Sequence, residues 1–275
     1  MDTLHFLYGT APGRLLLRPL TAPRLSALAG RLLDSRASRV LVEPFVRRSG
    51  IAPGDYLPDR GRSFNDFFCR AIRPELRPVS TAPEALIAPC DGLLRVYPIT
   101  EGLVLPVKES RYSVAALLRD TALARRFDGG WCLVYRLGVQ HYHRYVYVES
   151  GEKHTDRRLP GVLHTVRPVA LRAGPVFCEN SRTYTVIETL QHGALVQMEV
   201  GAMLVGRIVN LRPGPCAVRR GAEKGYFEYG GSTVIVLTEP GRFTPHPLLS
   251  AQWETPVRLG EAVGVCKSGG EMQGL

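Results

Sequence analysis

The first fifty residues alternate apolar and basic positions at helical spacing. Leu15-Leu16-Leu17 is followed by Leu20, Leu25, Leu28, Leu32 and Leu33, with Arg24, Arg31 and Arg36 between them. Val40, Leu41, Val42, Phe45 and Val46 continue the pattern up to Arg47-Arg48. Apolar residues three and four apart collect on one face of a helix, so the spacing predicts amphipathic helices over residues 1–50. Pro53, Gly54 and Pro58 break that pattern. Ser63 then caps a short helix over Phe64-Asn65-Asp66-Phe67-Phe68, and Pro74, Pro78 and Pro83 mark an extended connector.

From about residue 84 the period shortens. Apolar and β-branched runs cut by Gly and Pro predict strands at Leu93–Tyr97, Trp131–Leu137, Tyr145–Val148, Thr185–Ile187, Ala194–Val200, Leu204–Val209 and Thr233–Leu237. One helix, Tyr112–Asp120, interrupts them. The pattern therefore predicts an α+β fold. Its core is a mainly antiparallel β sandwich or barrel-like structure, and its N-terminal region is amphipathic and helical. The division falls near residue 60, between an N-terminal amphipathic helical region over 1–60 and a β-rich domain over 61–275.

Composition narrows the partners. The 275 residues are 45% hydrophobic, enough for a sizeable core, and carry a formal net charge of +10. Residues 1–80 hold thirteen Arg, no Lys and seven acidic residues, a net +6. Such a surface favours polyanions, either an anionic bilayer or nucleic acid. The aromatics are not interleaved with basic residues as base-stacking platforms, so nucleic acid is the weaker expectation. No run of about 18 apolar residues predicts a spanning helix. Leu4-His5-Phe6-Leu7-Tyr8 is too short for a signal peptide, so the chain is expected in the cytosol. The six cysteines lack CxxC spacing and read as small hydrophobic residues, and no metal site is expected.

Near the C-terminus, Gly230-Gly231-Ser232-Thr233 runs into the strand Val234-Ile235-Val236-Leu237. Between two β-rich runs such a tetrapeptide reads as a hairpin turn. It also suits a strained backbone in which the Ser232 hydroxyl approaches the Gly231 carbonyl. A serine hydroxyl needs a base, and histidine, oriented by a carboxylate, is the natural one.

Further motifs stand in order along the chain. They are Phe67-Phe68-Cys69-Arg70-Ala71-Ile72-Arg73-Pro74, Arg77-Pro78, Ala88-Pro89-Cys90-Asp91-Gly92, Val107-Lys108 with Tyr112-Ser113, Tyr142-His143-Arg144, Glu179-Asn180-Ser181-Arg182 and Val200–Ile208. Together with Gly-Gly-Ser-Thr they closely resemble the pyruvoyl-dependent phosphatidylserine decarboxylases, over about residues 60–240. The resemblance implies a proenzyme that cuts itself between Gly231 and Ser232, giving a β chain 1–231 and an α chain 232–275 that stay together. Ser232 becomes a pyruvoyl group, which forms a Schiff base with the substrate amine and acts as electron sink. Phosphatidylserine then yields phosphatidylethanolamine and CO₂. A soluble amino acid or its derivative is the alternative substrate. The implied location is peripheral, on the cytoplasmic face of the cell membrane, with higher homo-oligomers left open.

Carried over residue by residue, the resemblance assigns Asp91, His143 and Ser232 to the chemistry. Tyr142, Arg144, Lys108 and Arg182 are expected to bind the anionic substrate, and Lys224 and Glu228 to support the cleavage turn. The chain departs from the better-known branch in one place. There a second His follows the Tyr-His-Arg triplet after one residue; here that position is Val146. Either His143 serves both steps or another His fills the gap. His164, in Gly161-Val162-Leu163-His164-Thr165-Val166, is the best substitute, with His141 and His154 weaker.

Overall fold

The computed structural model describes residues 3–58, 61–100, 103–107, 110–203 and 207–266. The N-terminal pattern forms four helices, α1 (Thr3–Gly9), α2 (Ala11–Leu20), α3 (Pro23–Leu33) and α4 (Val42–Ser49). Thr10 caps α2 by accepting the Gly13 N–H at 3.0 Å, and Pro23 opens α3. Gly50 ends α4 in a left-handed conformation, which glycine adopts without a Cβ clash. Ser63 caps α5 (Phe64–Phe68) as its sequence predicts, accepting from Asp66 N at 3.1 Å. The predicted helix at 112–120 is shorter: a strand takes Ser110–Ser113, and α6 covers Val114–Leu118.

Eight strands carry the site: β1 (Gly92–Pro98), β2 (Trp131–Leu137), β3 (Arg144–Val146), β4 (Arg182–Glu188), β5 (Ala194–Val200), β6 (Ile208–Asn210), β7 (Glu223–Phe227) and β8 (Ser232–Thr238). Of the expected strand 204–209, Leu204–Gly206 lie outside the described residues. The largest sheet has nine strands. Its path runs 216–218, 151–153, β4, β5, β8, β2, β1, 255–257, with 157–159 also paired to β4. Every named strand pair is antiparallel, and among the described residues the sheet stays open rather than closing into a barrel. A smaller sheet, β6-β7-β3, packs over it.

β8 is fully buried along its whole length because both faces of the large sheet are covered. Ile235 and Leu237 join a core built with Tyr8, Leu17 and the α6 residues Val114, Leu117 and Leu118. Val234 and Val236 face the other way, against Tyr145 and Phe227 of the small sheet. Strand alternation puts Ser232 on this second face. The segment before β8 is not a hairpin turn. β7 belongs to the small sheet and β8 to the large one, so residues 228–231 carry the chain from one sheet to the other. The local Gly-Gly-Ser-Thr signal for a hairpin loses to pairing partners far away in the sequence.

A buried polar network joins the two sheets. Lys224 on β7 pairs with Glu199 on β5 at 2.6 Å, both side chains shielded from solvent. Asn210 on β6 donates to Glu199 (3.3 Å) and to Asp156 (2.6 Å), and Lys153 pairs with Asp156 at 2.8 Å. Burial raises the Glu199 carboxyl above the usual range, and the Lys224 ammonium opposes that. A buried charge stripped of its partner is costly, whereas an apolar pair of similar volume is near neutral. Lys224→Met is expected to lower stability in urea by about 3–5 kcal/mol, and adding Glu199→Leu to recover most of the loss.

Candidate active site

The register fixes the first residue of β8. Ser232 pairs with Leu137, the last residue of β2. Just before it, Gly230 has φ +133°, a backbone conformation that other residues rarely adopt. The Ser232 hydroxyl is fully buried and lies 3.3 Å from His143 Nδ1. On the other side of the ring, His143 Nε2 lies 3.0 Å from the Gly138 carbonyl oxygen. A carbonyl only accepts, so Nε2 carries the proton and Nδ1 presents a lone pair to the serine. Nucleophile, base and orienting acceptor therefore lie in one line.

The imidazole is 1% exposed. The Phe68 ring of α5 lies against it with centroids 4.5 Å apart, and Phe227 meets it edge-on. Burial pulls the His143 pKa down to about 3, against the opposing pull of the Gly138 hydrogen bond. The base is thus neutral throughout the physiological range.

The turn itself is held by α5 and the N-terminal helices. Asn65 Oδ1 accepts the Tyr229 N–H at 3.3 Å, and its amide donates to Asp34, just past α3, at 2.8 Å. The Tyr229 ring packs edge-on against Phe45, Phe64 and Phe68. Glu228 pairs with Arg207 at 3.3 Å, and burial lifts its carboxyl to about 6. A cavity of about 240 Å³ lies here, between Ser26, Gly30 and Arg31 of α3 and Asn65, Glu228 and Tyr229.

The other expected residues are distributed as follows. Asp91 makes no hydrogen bond to His143; its carboxylate takes both the Nε and Nη2 of Arg77 (2.7 and 2.5 Å) and the Leu259 N–H at 2.9 Å. The His164 ring meets other partners than Ser232. Its Nδ1 lies 3.3 Å from the Tyr8 hydroxyl and its Nε2 3.4 Å from Glu179. The same loop nevertheless reaches the turn, since Val166 lies beside Gly231. His154 is exposed. Tyr142 is buried against Tyr56, its phenol pushed up to about 12 by burial. Arg144 donates to the Cys69 carbonyl (2.8 Å) and pairs with Glu223 (2.6 Å), beside a groove of about 490 Å³ that Arg70 also lines. Arg182 is buried on four carbonyls, of Ala116, Leu117, Cys178 and Asn180, at 2.6–2.9 Å, which ties the end of α6 to β4. Burial draws its guanidinium down to about 10. Lys108 lies outside the described residues. Among the described residues no cluster of His, Cys, Asp and Glu is arranged to hold a metal ion.

Sequence reasoning did not find the Gly138 carbonyl, because a backbone acceptor carries no residue signature. Asn65 and Phe68 did stand inside recognisable segments, yet only the fold brings them to the turn.

The Ser232 hydroxyl thus faces a desolvated, neutral histidine just after a glycine with a left-handed backbone. The profile of the phosphatidylserine decarboxylase family matches residues 64–265. The chain is 36% identical over 266 residues to phosphatidylserine decarboxylase proenzyme 2 of Clostridium acetobutylicum, covering 95% of this chain and 91% of that protein. It is 35% identical over 272 residues to the phosphatidylserine decarboxylase proenzyme of Ruminiclostridium cellulolyticum (96% and 91%), and 35% over 271 residues to that of Chlamydia caviae (95% and 91%). The chain belongs to the phosphatidylserine decarboxylase family, a pyruvoyl-dependent family of proenzymes in phospholipid biosynthesis.

The His143 shift has a stability consequence. Its folded pKa lies below the unfolded value of about 6.5, so on acidification the unfolded chain takes the proton first. Stability then falls as pH drops from about 6.5 toward 3. In a Ser232→Ala chain, urea denaturation is expected to show about 1.5 kcal/mol lost through this group between pH 6.5 and 5. Adding His143→Asn should flatten that part of the curve.

Proposed function

We propose that this chain cuts its own Gly231–Ser232 bond and then decarboxylates phosphatidylserine at a membrane surface. The observation that carries the reading is the 3.3 Å approach of the Ser232 hydroxyl to an unprotonated His143 nitrogen beside a glycine turn.

In the proposed cleavage, His143 Nδ1 takes the hydroxyl proton as Ser232 Oγ attacks the Gly231 carbonyl carbon. The Gly231–Ser232 amide C–N bond breaks, and the proton returns to the leaving nitrogen, giving an ester between Gly231 and Ser232. Loss of the Ser232 α-proton expels the Gly231 carboxylate and leaves a double bond at residue 232. Tautomerisation and addition of one water release ammonia, so the two chains together weigh the precursor plus water minus ammonia. Ser232 suits conversion to a pyruvoyl group. It is the first residue of a buried strand, and the next residue's hydroxyl, Thr233 Oγ1, is buried without a hydrogen-bond partner. Bound to the substrate amine, that group would supply an electron sink for the carbanion left by CO₂.

His143 Nδ1, beside residue 232, is assigned to accept a proton released as the Schiff base forms and to return it to the substrate α-carbon after CO₂ leaves. Asp91 is assigned a supporting role through Arg77, and Arg182 a role in fixing backbone. Arg144, with Lys108 and Tyr142, is assigned to the substrate's anionic groups.

Lipid access is read from the N-terminal helices. Leu15, Leu16, Leu28, Leu32 and Val40 remain exposed, at 54–76%, while Tyr8 and Leu17 pack inward. Among the described residues no helix is long and apolar enough to cross a membrane. An apolar face flanked by arginines suits shallow burial in an anionic leaflet. This favours the lipid over a soluble amino acid as substrate, and a peripheral location on the cytoplasmic face.

His143→Ala should run as a single 30.3 kDa band on a denaturing gel, whereas wild type and His164→Ala split. An intact mass of wild type without the ammonia loss would refute the pyruvoyl reading. Wild type should release CO₂ from phosphatidylserine vesicles and not from free serine. Leu28→Glu with Leu32→Glu should weaken sedimentation with anionic vesicles by at least about tenfold, since each buried Leu contributes roughly 1.5–3 kcal/mol.

A further inference from the structure

The base is oriented by a peptide, and that peptide is itself held. Leu137, opposite Ser232, is followed by Gly138, where the chain turns back on itself. Two donors converge on the Gly138 carbonyl: the His141 N–H at 2.9 Å and His143 Nε2 at 3.0 Å. The other end of the same residue is also held, because the Gly138 N–H donates to the His141 ring at Nδ1, 2.9 Å away. His141 thus grips Gly138 twice, once through its backbone and once through its imidazole. For Nδ1 to accept, the His141 ring carries its proton on Nε2. Burial lowers the pKa of this ring and keeps it neutral, with Arg136 acting the same way and the Asp91 and Glu254 carboxylates opposing.

Glycine samples more backbone conformations than any other residue, so an untethered Gly138 peptide would be free to rotate its carbonyl away. His143 would then lose the acceptor that selects its tautomer. With the proton on Nδ1, the ring has no lone pair to offer Ser232. In Ser–His relays a carboxylate performs this orienting task, and loss of the correct tautomer is costly there.

We propose that His141 is a positioning residue for self-cleavage, holding the Gly138 carbonyl so that His143 keeps its basic nitrogen toward Ser232. This rests on the reading of Ser232 as the cleavage nucleophile. It gives a role to a histidine whose ring does not touch the reacting atoms.

The test compares His141→Ala with His141→Asn. The asparagine side-chain oxygen falls near the position of Nδ1 and accepts from the Gly138 N–H; alanine offers nothing. Cleavage is timed on gels from the start of cell-free synthesis. His141→Ala is expected to slow cleavage roughly 10- to 100-fold, and His141→Asn to restore it to within about threefold of wild type. A second readout does not depend on cleavage. In a Ser232→Ala chain, imidazole ¹⁵N spectra should show His143 protonated on Nε2 alone, and adding His141→Ala should mix the two tautomers. Cleavage of His141→Ala at the wild-type rate would overturn the assignment, as would an unchanged His143 spectrum. So would an asparagine variant as slow as alanine. If His141→Ala does not fold, the asparagine rate and its His143 spectrum decide. A wild-type chain that never cuts would instead sink the cleavage reading, and the role given to His141 with it.

Discussion

The structure depends on keeping one hydrogen-bond line dry: Ser232 Oγ, His143 Nδ1, His143 Nε2 and the Gly138 carbonyl. Water at this site would compete for the serine hydroxyl and let the ring turn. Exclusion of water explains why aromatic groups surround so short a polar path. Phe68 covers one side of the imidazole, Phe227 meets its edge, and Tyr229 closes over Phe68. It also explains why the chain changes sheets here. A hairpin would leave residues 228–231 at a sheet edge facing solvent, whereas the crossover buries Gly230 and Ser232 and leaves Gly231 half-buried.

The N-terminal helices are part of this enclosure, and their outward leucines stay exposed. Tyr8 on α1 accepts the Thr165 N–H at 3.1 Å, and the Thr21 carbonyl accepts the Leu163 N–H at 2.9 Å. Those contacts hold the loop whose Val166 lies against Gly231. On the other flank, Asp34 holds Asn65, and Asn65 holds the Tyr229 backbone. Both sides of the Gly230-Gly231 turn are therefore anchored in the segment that presents exposed leucines. The geometry links the apolar outer face to the Gly230-Gly231 turn, on one flank through hydrogen bonds and on the other through hydrogen bonds to the loop that packs Val166 on Gly231.

Much of this was legible in the sequence, because it depends on local pattern. β2 and β5 occupy the residues their apolar runs predict, and Ser63 caps α5 as its position suggests. The expected α+β class follows from the change in period near residue 84. Long-range pairing was not legible. The Gly-Gly-Ser-Thr turn looked like a hairpin because nothing local says that β7 and β8 join different sheets. Spacing could not rank His143 and His164 either, since both lie in β-rich surroundings; their contacts separate them, His143 meeting Ser232 and His164 meeting Tyr8 and Glu179. Arg182 looked like an anion ligand, yet its charge faces carbonyls at the end of α6, a buried role that sequence cannot distinguish from a binding one.

The use of a carbonyl rather than a carboxylate has an electrostatic consequence. A buried carboxylate beside His143 would need a charged partner and would favour the imidazolium, raising its pKa toward neutrality. Asp91 has such a partner in Arg77, and the pair stands apart from the His143–Ser232 contact. A neutral acceptor orients the ring without adding a charge to the dry site, and it leaves the His143 pKa at about 3. General-base efficiency is greatest when the pKa lies near the working pH, so the arrangement gives up proton affinity. The proposed self-cleavage would occur once per chain, however, and a slow event needs no strong base. What it needs is a hydroxyl, a lone pair and a strained carbonyl that stay in line until the reaction occurs. A neutral ring held by a neutral peptide meets that need at every physiological pH.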